Sequence, residues 1–472
     1  MRTDWKWLTI ALPALLAACT VGPDYKAPDT VLPENWAASG ITKSPADSKA
    51  AVEQEWWKHF NDPVLSQFIQ KASTDNFDLK IAGARIGQAR AARDTANSNF
   101  LPTVNIIGGD ERQANRIAFP GNIPGLSKPF STYQAGFDAS WEPDIFGGKR
   151  RAFEASSAEL ESAEASLGDA RVSLLAEVAR TYVDIRGYQA QLAITGDTIA
   201  AEQKTVDIVS ERYHTGKTSQ LDQTQSKAQL EQMQTQLPYY QNLLAQAEYS
   251  MDVLLGEQPG FTHKITAEKQ PVPVSDKEVA LAAPANVIAN RPDIRIAERQ
   301  LASATAQQGV AVAQFFPDIS LSGFVGLLNV DAGNLLKSGS KSWSGGGNIL
   351  LPILNYGKLS AGLDAADANQ QEALAVYQKS IISALSDVAK SVTAYSKQEE
   401  YREALDKTVK DNRQTTAIAR MRYKEGLSSF IDVLDAERTL YASESQLVQA
   451  NAQASQDLIA VYKSLGGGWK GV

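Results

Sequence analysis

Cysteine is nearly missing from this 472-residue chain, which has one, at position 19. An intramolecular disulfide is therefore excluded. Histidine is almost as scarce, and His59, His214 and His263 are scattered in no spacing that would ligate a metal. Four methionines, the initiator among them, offer no ladder of soft ligands. No run of 18 apolar residues occurs, which excludes a membrane-spanning helix but not a membrane-spanning strand. Nucleophile elbows, phosphate-binding loops and zinc-protease motifs are missing, and Gly345-Gly346-Gly347 lacks the lysine a phosphate loop needs, so nothing points to an enzyme or a cofactor. Net charge is −8, and the basic cluster Lys149-Arg150-Arg151 is too short for a nucleic-acid footprint. Proline is absent between Pro143 and Pro238 and again after Pro352, which leaves room for very long helices.

What is present is a duplication. Arg212-Tyr213-His214-Thr215-Gly216, leading through Ser219 to Asp222, recurs 210 positions later as Arg422-Tyr423-Lys424-Glu425-Gly426, leading through Ser429 to Asp432. Leu230, Gln236 and Leu237 match Leu440, Gln446 and Leu447 at the same offset. Each copy lies between alanine-rich, proline-poor stretches and reads as a sharp reversal joining two helices. Gly216 and Gly426 supply the left-handed residue that ends a helix. Ser219 and Ser429, each three residues before an Asp, form a capping-box pattern that starts the next one.

The first 18 residues have the shape of a signal peptide, with Arg2 and Lys6 before an apolar segment from Trp7 to Ala18. Leu16-Ala17-Ala18-Cys19 resembles the bacterial lipobox, which makes Cys19 the site of a covalent lipid; Thr20, where an Asp would retain a lipoprotein at the inner membrane, directs it to the outer one. Residues 19–61 read as an extended N-terminal arm. A first structural repeat follows over 62–258 and a second over 286–472, with the proline-rich 259–285 as a non-helical linker between them. Each repeat holds a helix, two strands, a long helix and a returning helix. The strands fall at about 103–112, 132–142, 318–328 and 342–351. In the second, Tyr133, Ala135, Phe137, Ala139 and Trp141 alternate with Gln134, Gly136, Asp138, Ser140 and Glu142.

Strands of that length with one apolar and one polar face suit a lipid bilayer. Four cannot close a barrel, since the smallest bacterial ones have about eight strands, and an open edge in lipid leaves backbone groups unpaired. The barrel must be shared between chains. The segment from Lys149 to Tyr213, as one helix, would be roughly 100 Å long and must pack against others. Sevenfold stripes, such as Val433, Leu440, Leu447, Ala454 and Val461, suit coiled-coil packing.

The chain resembles the TolC-like outer-membrane factor family, in its OprM, OprN and NodT lipoprotein branch. The marks are Cys19-Thr20-Val21-Gly22-Pro23-Asp24-Tyr25, Trp56-Trp57-Lys58-His59-Phe60, Trp141-Glu142-Pro143-Asp144-Ile145-Phe146-Gly147, Arg291-Pro292-Asp293-Ile294-Arg295, Val433-Leu434-Asp435-Ala436 and Ser464-Leu465-Gly466-Gly467-Gly468-Trp469. The resemblance implies a mixed fold, a membrane β-barrel plus an α-helical barrel, in which a homotrimer contributes four strands per chain to a twelve-stranded barrel continued by a helical tunnel in the periplasm. It implies the exit duct of a tripartite efflux pump, working with a periplasmic adaptor and an inner-membrane transporter of the resistance-nodulation-division type. It places the two reversals at a closed tip, with Ile431, Asp432, Asp435 and Arg438 at the gate and Tyr423 linked to Asp222. Ser428 and Leu221 depart from the TolC pattern, so a second, arginine-based lock is not implied. From the residues alone, Asp222 and Asp432 suit helix capping equally well, whereas Asp435 lies beyond capping reach and Arg438 is spaced to pair with it. A duct for type I protein secretion and a pore-less structural lipoprotein are the competing functions.

Overall fold

The computed structural model describes residues 20–29, 32–33, 36, 53–113, 129–275 and 284–469; Cys19 and the signal segment lie outside them. Helices α1 (Pro63–Asp75) and α2 (Phe77–Ser98) precede strands β1 (Thr103–Gln113) and β2 (Phe130–Trp141). Then come α3 (Gly148–His214), α4 (Gln220–Gln234), α5 (Gln236–Leu254) and the short α6 (Phe261–Thr266). The second repeat runs through α7 (Pro284–Asn290), α8 (Pro292–Ala313), β3 (Asp318–Asn329), β4 (Lys341–Leu350), α9 (Tyr356–Lys424) and α10 (Phe430–Ser464). No described helix is long and apolar enough to cross a membrane.

Local chemistry accounts for where these helices begin and break. Asp62 caps α1 by accepting from the Val64 and Leu65 N–H groups at 2.9 and 3.0 Å, and Pro63 opens the helix where no N–H is needed. The helical segment expected between Asp62 and about Asn99 is divided at Asn76: its backbone turns extended, its Oδ1 accepts from the Asp78 and Leu79 N–H groups, and its Nδ2 donates to the Leu254 carbonyl. A single returning helix is likewise expected in each repeat. In the first it is broken at Thr235, three residues before Pro238, whose ring removes an N–H donor; the second has Val448 at the matching position and runs unbroken. The linker is not wholly non-helical either, since α6 lies inside it. The N–H groups of Gly260 and Thr262 donate to the buried Asp252 at 2.7 Å each and pin that helix start.

The chain forms two compact units, each assembled from pieces of both repeats. The first comprises Met1–Pro28, Ile86–Ser162 and Ala297–Tyr377. It holds an antiparallel sheet in the order β1-β2-β3-β4, with β1 and β4 at its edges. Ile106, Phe137, Val325 and Trp343 stand opposite one another across all four strands, and all four are exposed. Asn105, Asp138, Phe324 and Ser344 form the adjoining row on the other face. Gly136 pairs with Gly326 at the central β2–β3 seam, where a Cβ on either would lie within 2.5 Å of a carbonyl oxygen of the partner strand. In the same unit residues 20–25 fold onto the chain. Arg151, almost wholly buried, donates to the carbonyls of Val21 and Gly22 and to Asp24. Gly22 lies so close to Gly309 that a Cβ there would sit 2.5 Å from its Cα.

The second unit comprises Asp29–Arg85, Ala163–Ile296 and Gln378–Val472. Its core joins Trp56, Phe60, Leu65, Phe68 and Ile69 to Leu175, Val178, Tyr182 and Ile185 of α3, Met251 and Leu255, and Leu458, Ile459 and Tyr462 of α10. Trp56 stacks on Tyr462 with ring centroids 5.4 Å apart. Gly467 and Gly468 are required where they stand, because a Cβ would meet Trp56 at 2.8 Å and Leu175 at 2.7 Å. The double-Trp and triple-Gly motifs are thus the two sides of one packing contact.

Candidate functional site: the paired helical reversals

Both reversals end their first helix in the same way. The Lys217 N–H donates to the Arg212 carbonyl at 2.8 Å and the Gly216 N–H to Tyr213 at 2.9 Å; Leu427 to Arg422 and Gly426 to Tyr423 repeat this at 2.8 and 3.0 Å. Gly216 and Gly426 have φ of 68° and 75°, the left-handed conformation this turn needs. The next helices start with capping boxes. Asp222 N–H donates to Ser219 Oγ at 3.2 Å while Asp222 Oδ2 accepts from Ser219 N–H at 3.3 Å and from Thr218 Oγ1. Asp432 Oδ2 accepts from the Ser429 N–H at 3.0 Å. Removing either cap, as Ser219→Ala or Asp432→Ala, is expected to cost about 1 kcal/mol, read as a lowered unfolding midpoint in a detergent-solubilised sample.

The shared Arg-Tyr-x-x-Gly motif then gives unequal structure. Arg212 of the first copy reaches the second: its Nη1 donates to the Tyr423 carbonyl at 3.1 Å and its guanidinium lies 4.7 Å from the Tyr423 ring centre. Arg422 of the second copy only makes a 3.4 Å contact to the Leu427 carbonyl in its own turn. Tyr423 is buried in a cluster with Val209, Phe430, Val433 and Leu434, whereas Tyr213 is half-buried beside His214. Phe430 builds one wall of that pocket, and Gln220 occupies the corresponding place in the first copy. Arg212 and Phe430 are therefore organising residues of the site; the apolar residue after Ser429 was the available sequence signal.

The link between Tyr423 and Asp222 does not form within the chain. The Tyr423 hydroxyl is buried with no hydrogen-bond partner, and the Asp222 side chain is engaged in its cap. Arg438 does not pair with Asp435 either: its Nε donates to Oε1 of Gln229, a buried residue of α4, at 2.8 Å. That contact ties α10 to the other hairpin, an outcome that the three-residue spacing could not reveal. Asp435 is left exposed and outside any intrachain ion pair among the described residues, and Ile431, four residues before it on the same helical face, is exposed as well. Among these residues no cluster of His, Cys, Asp and Glu could hold a metal ion.

Comparison with known proteins gives this arrangement its context. The family model "Outer membrane efflux protein" matches residues 68–257 and 283–467. The antibiotic efflux pump outer membrane protein ArpC of Pseudomonas putida is 32% identical over 98% of this chain and 95% of its own. Nodulation protein T of Rhizobium leguminosarum bv. trifolii is 28% identical, covering 97% of this chain and 96% of its own. The solved outer-membrane channel OprN superposes with a TM-score of 0.88 at 33% identity, covering 96% of this chain and all of that one. With the duplicated long helices, the four-stranded sheet and the paired reversals in place, the chain belongs to the outer membrane efflux protein family, whose members are outer-membrane exit ducts.

Proposed function

We propose that three copies of this chain close a twelve-stranded barrel in the outer membrane, continued by a helical tunnel in the periplasm, and that the duct passively conducts small molecules for a tripartite pump. The observation that carries this reading is the sheet: four strands, two edges, and an exposed apolar row of Ile106, Phe137, Val325 and Trp343. Such an edge is tolerable in lipid only if another chain pairs with it. The names of its relatives, ArpC among them, support antibiotics and similar small molecules as the cargo. A periplasmic adaptor and an inner-membrane transporter of the resistance-nodulation-division type complete the pump, and a lipid on Cys19 anchors each copy.

In this reading the reversals form the gated tip. Ile431 and Asp435 present one exposed face of α10, and around a threefold axis they become a ring of apolar side chains beside a ring of carboxylates. Arg438 with Gln229 and Arg212 with Tyr423 hold the two hairpins of each chain together behind that ring. Asp432 and Asp222 start helices, and Gly216 and Gly426 turn the chain.

The test is conductance in planar bilayers, together with detergent-resistant trimers on electrophoresis. Asp435→Ala and Arg438→Ala are each expected to raise single-channel conductance severalfold, the first by removing the carboxylate ring and the second by freeing α10 from α4. Tyr423→Phe is expected to leave it unchanged, because the hydroxyl it removes has no partner in the chain. Conductance unmoved by Asp435→Ala would sink the gate, and monomers without conductance would sink the duct.

A further inference from the structure

Just behind the candidate gate, two carboxyl groups are buried against each other. Glu202 on α3 and Glu437 on α10 are 2% and 4% exposed. Oε1 of Glu437 accepts from Arg420 Nε of α9 at 2.6 Å and from Thr205 Oγ1 of α3 at 3.1 Å. Its Oε2 is buried and takes no hydrogen bond from any N–H or hydroxyl group. Glu202 stands one turn before Thr205 on the same face of α3, which places its buried carboxyl on the side of the helix that meets Glu437. The charged groups facing the pair are Arg420 of α9 and Arg438 of α10, and Arg438 spends its Nε on Gln229 of α4. The Arg420 side chain is 42% exposed, so its charge is partly screened by water.

Two ionised carboxylates cannot share such a space, and a single proton between them removes the conflict. It also supplies the donor that Glu437 Oε2 lacks. We propose that Glu202 and Glu437 share one proton and act as a clasp between the two hairpins, closed while the proton is held and released when it leaves to solvent. Three elements meet at the clasp, with α3 on one side and α9 and α10 on the other. Its release therefore loosens α10 directly behind Ile431 and Asp435.

The sign follows from burial, then from the Glu437 charge, which together raise the Glu202 carboxyl from an ordinary 4.5 to about 8. A raised acid is protonated in the packed state where the unpacked one is not. The contribution of the clasp is fully present below about pH 4.5 and is lost as pH rises through about 8. The tip is thus tightest in acidic surroundings, loosens progressively through neutral pH and is released in alkaline ones.

Infrared difference spectra of the full detergent-solubilised protein read the proton directly. The wild type is expected to show a protonated-carboxyl band at about pH 6.5 that disappears above about pH 8 and is absent from Glu202→Gln. A Glu437→Gln variant covers the case in which Glu202→Gln does not fold, and should shift the disappearance of the band to the acid side. A band untouched by both substitutions, or one already lost at about pH 5, would overturn the clasp. Hydrogen exchange over residues 200–212 and 430–440, corrected for intrinsic rate, should rise about tenfold between about pH 6.5 and about pH 9 in the wild type but not in Glu202→Gln. No difference between the two proteins overturns it as well. Conductance rests in addition on the reading of the reversals as the gate: if exchange responds to pH and conductance does not, the clasp stands and that gate falls.

Discussion

A valine at position 326 is expected to abolish assembly in the outer membrane. Gly326 faces Gly136 across the β2–β3 seam, where a Cβ would lie 2.4 Å from the Ala135 carbonyl oxygen and 2.6 Å from the Gly136 Cα. Both are backbone atoms of the partner strand, so no side-chain rotation relieves the clash. The Phe324 ring, 2.8 Å from the same point, closes the remaining space. The strands must separate or slip, and a slip of one residue would put the apolar row of Phe137 and Val325 on the polar face. β2–β3 is also the seam joining strands from the two repeats. Separation would leave several N–H and C=O groups unpaired in the bilayer, at several kcal/mol each. Heat-modifiable electrophoresis of outer-membrane fractions should show no folded Gly326→Val species. Gly108→Ala is the control: its Cβ would meet only the Gln134 carbonyl, at an ordinary 3.9 Å, and folded protein should persist.

Asp62→Ala should be the most damaging single truncation in the second unit, costing about 3–5 kcal/mol. One carboxylate there performs two tasks. Its Oδ1 caps α1, and its Oδ2 accepts from the Tyr182 hydroxyl at 2.7 Å. That hydroxyl accepts from Arg186 Nε at 2.9 Å, and Arg186 is completely buried, donating also to Gln189 and to the Glu268 carbonyl at 2.8 Å each. Burial and the neighbouring Asp62 carboxylate push the Tyr182 phenol far above its ordinary range, so it stays a neutral relay between the two charges. Deleting the carboxylate removes the cap, at about 1 kcal/mol, and strands a guanidinium in the core. Asp62→Asn keeps the cap and loses only the charge, and should fall between wild type and alanine in chemical-denaturation midpoints. Equal midpoints for Asn and Ala would assign the effect to the charge alone, and a wild-type midpoint for Asn would assign it to the cap.

The strand segments were legible because alternation is a local property. Tyr133 to Trp141 reads as two faces whatever surrounds it, and the exposed row through Phe137 lies where that alternation places it. The helix ends were legible for the same reason, since Gly216, Ser219 and Asp222 act on backbone groups within a few residues. Contacts between distant residues were not. Spacing offered Asp435 as the partner of Arg438, but competition with Gln229, 209 positions away, is decided by the distance between two helices. The Arg151 clasp on Val21 and Gly22 and the Asp62–Tyr182–Arg186 chain were invisible for the same reason.

The duplicated reversal draws the line between the two kinds of information. By itself the sequence determined the turn, the caps and the repetition, because each depends on backbone dihedrals and hydrogen bonds within about one helical turn. It could not assign different roles to equal residues. Only the tertiary structure sent Arg212 across to Tyr423 while Arg422 stayed in its own turn, and buried Glu202 and Glu437 where α3 meets α10. The physical reason is that burial and charge pairing depend on which helix faces which, and two copies of one motif placed against each other cannot both occupy the inside.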